Sequence, residues 1–304
     1  MASSTAQQPS FGLDSTLRAF ADLGRISNLP TCVSNVLVGV ALGAAASPGD
    51  QPHPVAALWL SAAVCLLYVG GTALNDVADS RIDRRERPSR PIPSGRVSLA
   101  TAIAVVGVCF VVGLAILAFF GLPVALLGLT LVSSIVAYDL LHKRIAASVL
   151  LMGVCRGLVY LVAAAAVGWP LRWGVAGPPA TALALYVVGI TVVARAEAQE
   201  SLDARRWLAV AMPIVVLLPS AFVHLAGPVW PLVGIVALGA WLAFAVRAVF
   251  ARPPRTVQAV LTWLSGISLV DAFFLTLLDR PGWAAVAGAC FVVTAWGHRH
   301  VLGT

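Results

Sequence analysis

Charge is the scarcest property of this sequence: Asp, Glu, Lys and Arg make up 11% of its 304 residues, against 60% hydrophobic. Soluble domains carry roughly 25% charged and about 45–50% apolar residues, so an ordinary soluble fold is excluded. Lysine is almost missing, with Lys143 standing alone beside nineteen arginines. Cysteine is sparse and unpatterned: Cys32, Cys65, Cys109, Cys155 and Cys290 all stand in apolar runs, with no C-x-x-C pair. That spacing argues against a zinc site or a disulfide framework and leaves the thiols as small buried hydrophobes. The alternation of a membrane barrel strand is absent. The first ten residues are polar and Ser/Gln-rich, without the apolar stretch of a cleavable leader.

What is present is membrane-spanning sequence, with a mean hydropathy of +0.92. Apolar runs fall near 29–47, 55–75, 98–120, 122–141, 145–168, 179–196, 207–226, 228–250, 257–278 and 282–297, separated by Gly and Pro. In lipid the backbone must satisfy its own hydrogen bonds, so these runs are helices. The expected fold is all-α, a polytopic bundle of nine or ten transmembrane helices with a cytosolic N-terminus. Residues 1–25 form a polar tail and lead-in, and 26–304 a single transmembrane domain.

The basic residues test the orientation. With the N-terminus inside, 17 of 20 fall in cytosolic segments; only Arg172 and Arg280 lie opposite, and Arg156 sits within a span. The net charge of +7 therefore records topology, and its spread through short loops excludes a nucleic-acid surface.

Acidic residues gather where helices reach the cytosol. The first such exit carries Asn75, Asp76, Asp79 and Asp83, followed by an arginine- and proline-rich stretch that includes Arg87, Arg90 and Arg96. Spacings of +3 and +4 put the three aspartates on one helical face, where like charges repel unless a cation neutralises them. Hard oxygen donors without His or Cys suit Mg²⁺, which keeps waters and bridges to phosphate, while arginines grip the remaining oxygens. A solvated loop with ordinary charge pairs is the competing reading.

The run N-D-x-x-D-x-x-x-D followed by R-P-x-R-P-I-P-S-G-R, over about residues 74–98, resembles the first signature of the UbiA superfamily of intramembrane prenyltransferases. The resemblance implies a UbiA-like helical bundle that ionises an allylic prenyl diphosphate with Mg²⁺ and passes the prenyl group to an acceptor. The second exit, Tyr138-Asp139-Leu-Leu-His142-Lys143-Arg144, resembles the family's diphosphate-facing group. At the third exit the family has D-x-x-x-D; this chain offers Glu197, Glu200 and Asp203 instead. That stretch, with Met152-Gly153-Val154-Cys155-Arg156-Gly157, is closest in appearance to the EboC-like branch.

The expected roles follow. Asp76, Asp79, Asp83, Lys143 and Tyr138 are the catalytic set; Asp76, Asp79, Asp83, Glu197, Glu200 and Asp203 the metal ligands. Asn75, Arg87, Arg90, Lys143, Arg144, Arg156 and Asn35 would bind the diphosphate. Tyr138 and Asp139 are the candidates for a general base. Inside the spans, Arg156 either reaches a diphosphate oxygen or pairs with Asp271. The partners expected are a prenyl diphosphate, an unidentified acceptor and membrane lipid, at the bacterial inner membrane with the site facing the cytosol. Two other functions fit the same residues: a terpene cyclase without acceptor, and a transporter or scaffold that has lost catalysis.

Overall fold

The computed structural model describes residues 13–45, 53–198, 211, 214–217, 229–251 and 255–300. Among these there are helices and no strands. An amphipathic α1 (Leu13–Leu23) precedes α2 (Leu29–Ala45), α3 (Pro54–Glu86), α4 (Leu99–Ala118), α5 (Leu122–Leu141), α6 (Val149–Val167) and α7 (Trp173–Ala198). Then come α8 (Trp230–Val249), α9 (Thr256–Leu277) and α10 (Pro281–His300). Eight helices, α2 to α9, are long and apolar enough to cross a membrane. The 207–226 run lies outside the described residues, apart from a few positions.

Gly and Pro set several helix starts, as their chemistry dictates. Pro54, Pro123 and Pro231 occupy the first turns of α3, α5 and α8, where no intrahelical N–H is needed. Pro178 and Pro179 differ from expectation: they lie inside α7, which starts at Trp173 rather than after them. So near the helix start they forgo only bonds to the first carbonyls, which the helix tolerates.

From α2 to α7 and from α8 to α10 each helix packs on the next, α7 packs on α9, and α10 returns to α2. α2 also touches α3, α6, α7 and α9, so it runs through the middle of the bundle. Small residues allow this. A Cβ on Gly43 would stand 2.5 Å from the carbonyl oxygen of Ala164, and one on Gly39 2.6 Å from Ala163. The Gly39-x-x-x-Gly43 stripe lets the α2 and α6 backbones meet, and dispersion across that contact holds the helices where lipid offers no hydrophobic drive.

One end of the bundle is polar. The C-termini of α3 and α5 meet there, with α1 laid across the loop that follows α3. At the other end Trp59, Trp169, Trp173 and Trp230 are exposed, as interfacial tryptophans are.

Candidate active site

α3 has 33 residues, more than the roughly 20 that span a hydrocarbon core. Its surplus turns carry Asp76, Asp79 and Asp83, all three buried, on the helical face the spacing predicts. At about 100° per residue, Asp76 and Asp83 nearly eclipse each other while Asp79 stands about 60° to one side. The partners divide accordingly.

Arg90 serves the eclipsed pair, donating to Asp76 at 3.1 Å and Asp83 at 2.8 Å. The loop places it. Ile92 and Val97 are buried against Ala19 and Leu23 of α1 and Ala73 of α3. Gly95 turns the chain at φ +75°, a left-handed conformation that a side chain resists. Arg96 then ties the loop to Asp22 of α1 at 2.8 Å and to the Ser89 carbonyl at 2.8 Å. Arg25, just after α1, adds a second cation, 3.7 Å from Asp76 and 3.2 Å from the Asn75 side-chain oxygen.

Asp79 instead faces the end of α5. Lys143 Nζ lies 2.7 Å from one of its oxygens and His142 Nε2 3.4 Å from the other. The Asp79 carboxylate raises the His142 pKa above the ordinary imidazole value. Tyr138 stacks on His142, with ring centroids 5.3 Å apart. Asn75 donates to Asp139 Oδ1 at 3.0 Å, and the other Asp139 oxygen is buried with no partner among the described residues.

The cleft therefore gathers four carboxylates, Asp76, Asp79, Asp83 and Asp139, and four basic groups, Arg25, Arg90, Lys143 and His142. Among the described residues no three His, Cys, Asp or Glu groups close into a metal cage. Mg²⁺ does not require one, since it takes one or two carboxylates and fills its remaining positions with water and phosphate. The hard-oxygen donors and the unpartnered Asp139 oxygen fit that ion.

Other expected residues lie elsewhere. Arg87 and Arg144 are exposed at the rim, and their side chains make no described ion pair with the aspartates. Arg156 and Asn35 come together deeper in the bundle: Arg156 donates to the Asn35 side-chain oxygen at 2.8 Å and lies 5.4 Å from the Tyr68 ring centre. The Asn35 amide donates in turn to Asp271, which also accepts from Ser34 and Tyr160. Arg156 and Asp271 are thus linked through Asn35, not by a direct pair. Glu197 belongs to the last turn of α7; its side chain, Glu200 and Asp203 lie outside the described residues. Arg195, in the same last turn, bonds Ser148 at 2.8 Å and the Ala146 carbonyl at 3.0 Å, tying α7 to the start of α6.

Sequence reasoning gave no role to Arg25 or His142 and left Asp139 only as a possible base. His142 and Asp139 stood within the Tyr138–Arg144 motif, so their signal was available. Arg25 carried none, because its place beside Asp76 depends on how α1 docks.

Comparison with known proteins agrees with this geometry. The UbiA prenyltransferase family matches residues 36–278. Digeranylgeranylglyceryl phosphate synthase of Halobacterium salinarum is 34% identical over 163 residues, covering 53% of this chain and 57% of that protein. The chain spans only about a third to just over half the length of the first curated relatives it matches. A UbiA homolog from Aeropyrum pernix K1, solved in its apo form, superposes with a TM-score of 0.53 at 19% identity, covering 88% of this chain and 96% of that one. A structure reported with insights into the biosynthesis of digeranylgeranylglyceryl phosphate synthase in membranes gives 0.56, also at 19% identity, covering 92% and 98%. These likenesses concern the superfamily and do not address the EboC-like branch. With the signature residues gathered at one end of a helical membrane bundle, the chain belongs to the UbiA prenyltransferase family.

Proposed function

We propose that this protein transfers a prenyl group from a prenyl diphosphate to an acceptor, in a Mg²⁺-dependent reaction. The observation that carries the reading is the charged cluster itself: Asp76, Asp79, Asp83 and Asp139 gather with Arg25, Arg90 and Lys143 at one end of an apolar bundle.

Asp76, Asp79 and Asp83 would hold Mg²⁺, with Glu197, Glu200 and Asp203 completing the acidic set from the end of α7. When bound, the ion supplies Lewis-acid neutralisation of the diphosphate charge. Arg90 and Lys143 now spend their charge on aspartates. With an ion held by those carboxylates, Arg90 and Lys143 would grip phosphate oxygens and stabilise the charge that grows on the leaving group. Arg25 and Asn75 fix the position of Asp76 and Asp139 beside them. Arg87 and Arg144 at the rim attract the anion during approach. Below the cleft, the bundle's apolar side chains exclude water from the prenyl cation. The carbon–oxygen bond breaks first, its electron pair leaving with the diphosphate, and the acceptor nucleophile then bonds to the cationic carbon. Tyr138 or Asp139 would take the acceptor's proton. Asn35, bonded to Asp271, and Arg156, bonded to Asn35, brace the bundle beneath.

In this reading the aspartate end faces the cytosol of a bacterial inner membrane, supported by the arginines concentrated at that end. The relatives' name makes a prenylated glyceryl phosphate the first acceptor to try.

The test uses the purified chain in liposomes with labelled prenyl diphosphates of several chain lengths, with and without Mg²⁺. Mg²⁺-dependent diphosphate release is expected, with the label on the acceptor. No release with any donor would end the reading; a cyclic hydrocarbon formed without acceptor would replace transfer by cyclisation.

A further inference from the structure

A second cavity shares no lining residue with the aspartate cleft. It has a volume of about 600 Å³ and lies between α8, the start of α9 and the end of α10. It opens at the same end of the bundle as the cleft, because His298 of α10 bonds Asn28 at 2.8 Å, and the Asn28 N–H donates to the Arg25 carbonyl at 3.0 Å.

Its lining is divided by chemistry. Trp241, Phe244 and Leu261 give an apolar wall, while Arg255 and Arg299 give a basic rim, with no acidic side chain in the lining. The indole N–H of Trp241 is satisfied by the Thr262 carbonyl at 2.7 Å, so the side chain asks nothing polar of a ligand. Arg255 and Arg299 are both exposed, and neither has a carboxylate partner among the described residues. Phe244 is 45% exposed on the outer face of α8.

An anion alone would satisfy the arginines but gain nothing from the wall. A hydrocarbon chain alone would fill the wall and leave two guanidinium groups without counter-charge. A ligand with a negative head and a long apolar tail meets both, and it is the solvent this surface lives in. We propose that the groove binds a phospholipid with an anionic headgroup, its phosphate held by Arg255 and Arg299 and one acyl chain lying along Trp241, Phe244 and Leu261. The site is separate from the transfer reaction and does not depend on it.

Tryptophan fluorescence tests this, because Trp241 lies in the groove. The chain is placed in nanodiscs, and quenching by phosphatidylglycerol with brominated chains is compared with brominated phosphatidylcholine. Phosphatidylglycerol should reach half of its quenching at about tenfold lower mole fraction, as two interfacial arginines warrant. R255Q/R299Q should erase that preference, and Trp241→Phe should remove the component that shows it. Native mass spectrometry of wild type and R299Q gives an independent reading, with retained phosphatidylglycerol expected on the wild type and less on the variant.

Equal quenching by the two lipids overturns the proposal, as does a preference that survives in R255Q/R299Q. If millimolar inorganic phosphate displaces the brominated lipid, the rim reads free phosphate and the lipid site is wrong. Diphosphate release measured in the same nanodiscs separates this outcome from the fate of the transfer reading, since each can fail while the other stands.

Discussion

Arg90 places one guanidinium nitrogen between Asp76 and Asp83, 3.1 Å and 2.8 Å away, so one loop cation neutralises two carboxylates seven residues apart. In Arg90→Ala the buried Asp83 loses its counter-charge and Asp76 is left with Arg25 alone, at 3.7 Å, which costs about 3 kcal/mol. Mg²⁺ should restore much of that loss by taking the arginine's position. Thermal unfolding in detergent, with and without Mg²⁺, measures it. A variant whose midpoint ignores Mg²⁺ would show that the ion does not bind between these acids.

Asp79 and Lys143 make the corresponding pair about 60° round the same face of α3, at 2.7 Å. Asp79→Asn keeps the shape and removes the charge, and diphosphate release should fall by roughly 10²-fold or more. Lys143→Ala should lower kcat as well as raise the donor KM, with Lys143→Arg recovering part of both, because a charge and not a fork geometry is needed there. Steady-state kinetics on the three variants separates the two roles.

Asp271 sits 0% exposed among Ser34, Asn35 and Tyr160, away from the cleft. Asp271→Ala leaves the Asn35 amide and the Tyr160 hydroxyl without their acceptor, at about 1–3 kcal/mol for each group left unsatisfied, while Ser34 keeps the Thr31 carbonyl and Ser268. The expected result is a marked loss of stability with donor affinity little changed. Urea or SDS unfolding beside a donor-binding titration checks both halves, and a large loss of donor affinity in a folded variant would move this network into the active site.

Gly43 lies where the α2 and α6 backbones touch. Gly43→Leu must push the helices apart, at a cost of about 1–3 kcal/mol or more. Since α2 also packs against α9, the Asn35–Asp271 bonds should loosen with it. Lower expression of folded protein and a reduced unfolding midpoint are expected, whereas substitution at Gly107, where a Cβ meets nothing, should be silent.

Helical spacing alone made the shared face of Asp76, Asp79 and Asp83 legible, and length with hydropathy made the bundle legible. Arg87 and Arg90 looked alike in the sequence, both inside one basic stretch. The structure separates them, because Ile92, Gly95 and Arg96 fold the loop so that Arg90 points back at α3 while Arg87 stays exposed. Arg156 and Asp271 were legible as membrane-buried charges, but not the Asn35 side chain that stands between them.

Composition by itself therefore determined the solvent of this protein, the helical form of its spans and the hard-oxygen character of its acidic face. Those properties depend on residue type and on neighbours within about two turns along one helix. Which helix each face meets depends on contacts between residues far apart in the sequence, such as Asn75 with Asp139 or Arg25 with Asp76. Tertiary packing alone decided those pairings, because small residues on α2 and the docking of α1 set which surfaces come close enough to bond.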